Sequence, residues 1–225
     1  MKKSAELSGA STGSSRASGF WKSLRYALYA VVHPVDGFWD LSHEKRGSAA
    51  AGTVILVLAL LTSVLRLQYT NFQFIRVNWE RINIFMQVMG ILMPFLIWVL
   101  SNWALTTLFD GKGNLKNVYI ASCYAIAPYP LVMIPNTILS NLLAADESTF
   151  YVFFYYLSLV WCVMLMVVGM SQIHEYKMGK NLLCILFSIV GMAVIIFILQ
   201  LFFSLISDGI AYFYSLYKEI IFRLY

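Results

Sequence analysis

The sequence predicts an all-α fold: a polytopic membrane bundle of five transmembrane helices with interfacial amphipathic helices at both ends. Three observations carry that prediction. Of 225 residues, 60% are hydrophobic and only 12% charged, where soluble domains carry about a quarter charged residues. The apolar residues gather into five runs, 49–67, 82–109, 118–143, 150–170 and 182–206. Each meets the roughly 20 residues needed to cross a hydrocarbon core of about 30 Å. Within these limits Arg66 alone is charged, one residue from a span end, where its stem can carry the guanidinium to the interface.

In chain order, residues 1–19 (MKKSAELSGASTGSSRASG) are rich in Ser, Gly and Ala and have too little to bury, so a disordered cytoplasmic tail is expected. Residues 20–47 interleave aromatic and aliphatic side chains with Lys22 and Arg25. That pattern suits a helix in the inner headgroup layer, its cations near anionic lipid. Pro34 is expected to end it, with a turn at Asp36-Gly37. The same surface could dock a partner. The first apolar run starts too deep for a secretory leader, so 49–67 is expected to remain as an anchor.

The connection 68–81 reads as an aromatic lid at the far end of the bundle. Asp146, Glu147, Ser148 and Thr149 precede the fourth span, where carboxylates and hydroxyls cap free amides. Beyond Ser207, apolar residues recur at Ile210, Phe213, Tyr214, Tyr217, Ile221 and Leu224. This is helical spacing, predicting an external amphipathic helix over 207–225 capped by Asp208.

Charge mapped onto the connections gives an orientation. Residues 1–47, the second–third connection and the fourth–fifth connection together hold eleven Lys and Arg; the other side holds five. The positive-inside rule then puts the N-terminus in the cytoplasm and the C-terminus outside the cell membrane. These cations are dispersed between spans, so they form no nucleic-acid face. Cys123, Cys162 and Cys184 all fall within spans, which suits buried thiols and no disulfide framework.

Motifs that could carry chemistry fail on spacing. FDGKGN at 109–114 contains Gly-Lys-Gly but lacks the earlier glycine and the following Ser or Thr of a phosphate loop. Gly111 and Gly113 are read as a tight turn started by Asp110. His33, His43 and His174 lack the spacing of a zinc helix. They lie in connections and are expected to be solvated or to face headgroups. No catalytic residue, cofactor or metal is assigned, and no enzyme is expected.

Polar groups inside the spans are neutral. The candidate helix-break or polar cluster comprises Asn102, Thr106, Thr107, Ser122, Tyr124, Pro128, Pro130, Pro135 and Asn136. Three prolines within eight residues of the third span should bend or unwind it, since each removes a donor and crowds the preceding turn. The freed carbonyls around Tyr124–Ala127 and Leu131 then need donors, with Asn102, Thr106, Thr107 and Ser122 nearest by depth. A bent third helix packed inside the bundle is expected.

The five spans, the loop Phe109-Asp110-Gly111-Lys112-Gly113 and the Tyr124-x-x-x-Pro128 element together resemble the Yip1 family. HPVDGFWDL, NWALTTLFDGKGNLK and YAIAPYPLVMIP are similar to its bacterial branch, of the kind found in Gram-positive organisms. The resemblance covers about residues 20–206. It implies an integral membrane protein whose eukaryotic relatives bind small prenylated GTPases and one another and help shape or traffic membranes. The Tyr-Gly-Pro and Gly-Tyr motifs of those relatives have no match in residues 1–47, so small-GTPase binding is not carried over. The expected function is non-enzymatic, through contacts with membrane lipid and with other membrane proteins or a second copy, as an accessory or scaffold of a transport or trafficking complex. The alternative is a small transporter or channel using the broken third span.

Overall fold

The computed structural model describes residues 19–44, 46–74, 83–109 and 111–224. Residues 1–18, Lys45, 75–82, which include Arg76 and Arg81, Asp110 and Tyr225 lie outside the described residues. Expectations for the tail, for the end of the lid and for Asp110 fall there.

The described chain is helical throughout, with no strand among the described residues. Helix α1 covers 19–32. After it come α2 (Pro34–His43), α3 (Ala49–Tyr69), α4 (Ile84–Leu108), α5 (Leu115–Ala125), α6 (Pro128–Leu139), α7 (Ser148–His174) and α8 (Met178–Leu224). Five helical segments are long and apolar enough to span a membrane: α3, α4, α5 with α6, α7 and α8. They alternate in direction because the connections are short. The N-terminal ends of α3, α5 and α8 therefore share one end of the bundle with the C-terminal ends of α4 and α7.

The third span is the most buried of the five. Its halves, α5 and α6, touch α3 and α7, and α5 also touches α4. The core is accordingly centred on Val118, Ala121, Cys123, Tyr124 and Ala125, with Ala51 and Ile55 of α3, Phe95 and Val99 of α4, and Leu165 and Met170 of α7. Small side chains on α3 and α5 let backbones approach, which is how spans gain packing in lipid, where apolar burial alone gives no drive. Helix α8 lies against α4 and α7. A Cβ at Gly191 would stand 2.5 Å from Ser101 Oγ, so that residue must be small for α4 and α8 to cross there.

Helices α1 and α2 correct the expected turn. Helix α1 does end before Pro34, at residue 32, but Pro34 also opens α2 in its first turn, where its missing N–H has no intrahelical acceptor to lose. Asp36 and Gly37 lie inside that helix. Tyr26 Oη donates to Asp40 at 3.0 Å and lies 3.2 Å from Gly37 O, tying the two helices together. The pair is seated against the spans. Phe38 is fully buried and rests on Gly169, where a Cβ would stand 2.9 Å from its ring. Trp161, the central residue of α7, donates from Nε1 to Val31 O at 3.3 Å.

At the far end, Asn71 N donates to Ser140 Oγ at 3.3 Å and Phe74 stacks on Tyr151 at 5.6 Å. Arg66 places its guanidinium 4.3 Å from the Tyr155 ring centre, an attraction to the ring's negative face. Two more expectations are corrected. Glu147 caps no amide of α7; its carboxylate accepts from Ala144 N at 3.0 Å. The chain also does not break at Ser207-Asp208: α8 runs unbroken for 47 residues, so Asp208 is an interior residue and 207–224 is no separate helix. Apolar residues on both sides of that polar pair keep the helix continuous.

Candidate functional site

The short connections at the near end build a polar seam between α4, α7 and α8. Helix α7 stops at Glu175, whose left-handed backbone (φ 53°, ψ 37°) turns the chain. Tyr176 N then donates to Ser171 O at 3.1 Å, and Ser171 Oγ donates to Tyr176 O at 2.9 Å. This reversal aims the Tyr176 hydroxyl at the end of α4. It donates to Phe109 O at 2.9 Å and lies 3.3 Å from Thr106 O. Lys180 Nζ reaches the same Phe109 carbonyl at 2.8 Å. Two of the carbonyls left unpaired at a helix end, those of Thr106 and Phe109 at the end of α4, thus meet side chains from the α7–α8 connection and the start of α8.

Beneath Tyr176 lies His174, only 2% exposed. Its Nε2 is 3.1 Å from Asn102 Oδ1. Asn102 Nδ2 donates to Ser188 Oγ at 3.2 Å, and Ser188 Oγ donates to Cys184 O at 2.8 Å. Ser101 Oγ donates to Ser188 O at 2.7 Å. Asn181 Nδ2 donates to Val167 O at 2.8 Å, joining α8 to α7. His174 Nδ1 has no hydrogen-bond partner among the described residues. The glycine loop lies over it. A Cβ at Gly111 would be 2.7 Å from Tyr176 Oη and 2.9 Å from His174 Nδ1. One at Gly113 would be 2.7 Å from both His174 Cε1 and Ile173 Cγ2. No described glycine has a positive φ. These two are therefore glycines for closeness, since any side chain would push the loop off the imidazole.

The rim of the seam is charged. Glu175 pairs with Lys112 of the loop and, at 3.4 Å, with His43 at the end of α2. The hydrogen bond from the Lys112 ammonium holds the Glu175 carboxyl below its ordinary range. His43 itself stacks on Trp39 with ring centres 3.7 Å apart. Three connections distant in sequence therefore meet at one point. The expectation of a solvated His174 is overturned, because the docked loop closes over a residue that sequence places between spans.

The candidate cluster read from the sequence is distributed over several places. Asn102 and Thr106 join the seam, and Thr106 Oγ1 also donates to Asn102 O at 2.6 Å. Thr107 is exposed and bonds to carbonyls of its own helix. Ser122 is buried, with no partner for its hydroxyl among the described residues. Tyr124 is buried and its hydroxyl donates to Ser23 O at 2.9 Å, fastening α1 to α5. Asn136 donates to Tyr151 O at 3.1 Å, toward the far end.

The span does break between α5 and α6. Pro128 opens α6 and Pro130 sits in its first turn, both buried, while Pro135 lies inside α6 and is exposed. The donors at the break differ from those expected. Ile126 N bonds to Cys123 O at 3.3 Å, Ala127 N to Tyr124 O at 3.1 Å and Tyr129 N to Ile126 O at 3.0 Å. The Cys162 thiol is 3.7 Å from Ile126 O. A tightened turn resolves the break locally, so Asn102, Thr106, Thr107 and Ser122 are free of that task.

Sequence reading missed His174, Tyr176, Asn181 and Ser188 as partners. The available signal was the pairing of Gly-Lys-Gly with His-Glu-Tyr in two connections at one end of the bundle. The inner seam is built from neutral side chains, His174 aside, with Lys180 and the Glu175 pairs at its edge. Among the described residues no group of three or more His, Cys, Asp or Glu could hold a metal ion.

No curated protein and no solved structure matches the chain. The Yip1 domain matches residues 28–215. That range takes in both halves of the broken third span, the glycine loop and every residue of the seam, and the chain belongs to the Yip1 family.

Proposed function

We propose that this multi-pass membrane protein is non-enzymatic and acts through contacts with other membrane proteins, as an accessory or scaffold of a transport or trafficking complex in the cell membrane, N-terminus cytoplasmic and C-terminus outside. The observation that supports this reading is α8. At 1.5 Å per residue its 47 residues extend about 70 Å, against a hydrocarbon core of about 30 Å. From residue 196 to 223 every side chain but Gly209 is exposed. Ile210, Phe213, Tyr214, Tyr217 and Ile221 continue the apolar surface beyond the length needed to cross. An apolar surface of that extent outside lipid is a contact surface for another protein.

The test uses the full chain in native membranes, with a photoreactive residue at Phe213 or Tyr217. A discrete adduct with one partner or with a second copy is expected at both positions. Absence of any adduct at either, with efficient crosslinking inside the bundle from Leu105 to α8, overturns the reading.

A further inference from the structure

The pair α1–α2 presents two grooves that share a wall. The first is open, about 570 Å³, and is lined by Lys22, Arg25, Tyr26, Tyr29, His33 and Arg46. The second is an apolar crevice of about 330 Å³, with Trp21, Leu24 and Leu28 on one side and Ile55, Leu58, Pro130 and Leu131 on the other. Arg25 and Leu28 line both. Helical spacing brings Lys22, Arg25 and Tyr29 onto one face of α1, while the crevice opens where α1 crosses α3 and the start of α6.

The charges in the first groove are not balanced by the chain. Arg46 pairs with Asp40 at 3.3 Å and with Glu44. Lys22 and Arg25 have no carboxylate partner among the described residues. Arg25 thus stands at the mouth of a slot walled by two membrane spans, with Lys22 beside it in the adjoining groove. Water does not suit the slot, and a free phosphate would fill only the groove.

We infer that α1 and the break of the third span form a binding site for one anionic phospholipid, its phosphate held by Lys22 and Arg25 and an acyl chain laid in the crevice between Leu28 and Leu131. Charge complementarity selects the headgroup, and the apolar wall selects a tethered chain. Pro130 has a part in this: in the first turn of α6 beside Leu131, it helps form the wall that α1 does not fill. The inference rests on residence in a membrane and is independent of whatever covers α8.

The experiment is native mass spectrometry of the full chain in mild detergent, titrated with phosphatidylglycerol, phosphatidylcholine or inorganic phosphate. One phosphatidylglycerol is expected to be retained in preference to phosphatidylcholine. K22Q/R25Q should weaken that retention about thirtyfold, since each of the two cations near an anionic surface contributes on the order of 1 kcal/mol. K218Q/R223Q, an equal charge change on exposed α8, should leave it unchanged. Leu131→Trp, which fills the crevice from a half-exposed position, should lower retention of phosphatidylglycerol while leaving the elution volume of the protein unchanged. Equal retention of both lipids, an equal loss in K218Q/R223Q, or full displacement by millimolar inorganic phosphate overturns the site. Should Leu131→Trp shift the elution volume, Leu28→Gln tests the same wall from the exposed face of α1, and undiminished retention there is also contrary.

Discussion

His174 Nε2 and Asn102 Oδ1 face each other at 3.1 Å, and the network around them fixes which atom carries the proton. Ser188 uses its one hydroxyl proton on Cys184 O, so Asn102 must donate to Ser188 with Nδ2 and accept with Oδ1. The hydrogen therefore sits on Nε2 of His174. The unprotonated Nδ1 faces the glycine loop, with no donor among the described residues.

Breaking this pair should expose its coupling. Asn102→Ala and His174→Ala are each expected to lower stability, and the double variant to lose less than the sum. The coupling should be about 0.6 kcal/mol, the average for a side-chain hydrogen bond between spans, and no more than about 1.7. Unfolding of the four proteins in mixed micelles measures it, and strict additivity would show that the contact carries nothing.

Gly113→Ala is expected to destabilise by about 1–3 kcal/mol, as overpacking does, because the new methyl has neither room nor a flexible neighbour to displace. Gly209→Ala is the matched control. Nothing lies within 4 Å of a Cβ there, and an exposed helix interior favours Ala over Gly by about 0.5–1 kcal/mol. Melting temperatures of the two variants in one detergent should move in opposite directions.

The Glu175 contacts predict an acid dependence. Because Lys112 lowers the folded-state pKa of Glu175, its contribution is fully present above the ordinary carboxylate value of about 4.3. It is lost as pH falls through the lower folded-state value. E175Q should therefore melt below the parent at neutral pH, with the difference closing toward pH 3. A gap that is constant across that range would contradict the assignment.

Gly169 and Phe38 give a test of how α1–α2 is held. Phe38→Ala removes a buried ring, with a loss of about 3–5 kcal/mol for such a truncation. Phe38 is the residue that seats α2 on Gly169 of α7, so the expected result is local release: protease cleavage within 19–48 while α3–α8 stay intact. Gly169→Leu should give the same fragment pattern from the other side of the contact.

Much of this architecture was legible in the chain. The five spans could be read because length and apolarity are properties of single segments. The broken third span could be read because proline acts on its own backbone. What escaped was whatever depends on two segments meeting. Pro34 ends α1 as its chemistry suggests, but the second helix that follows at once, with Asp36 and Gly37 inside it, goes with the seat of Phe38 on Gly169. Ser207-Asp208 has local stop character, yet the apolar stretches on either side keep one helix going. His174 sits among polar neighbours in sequence, and its burial comes from Gly111 and Gly113, about sixty positions earlier.

The divided third span also bears on how the protein is made. With 11 and 12 residues, α5 and α6 are each about half the length that crosses a bilayer, and together they are the least apolar of the five crossings. Neither half is an independent passenger for the insertion machinery. The central pillar, the most buried and the least apolar crossing, therefore depends on α3 and α7 packed against it more than on the lipid around it.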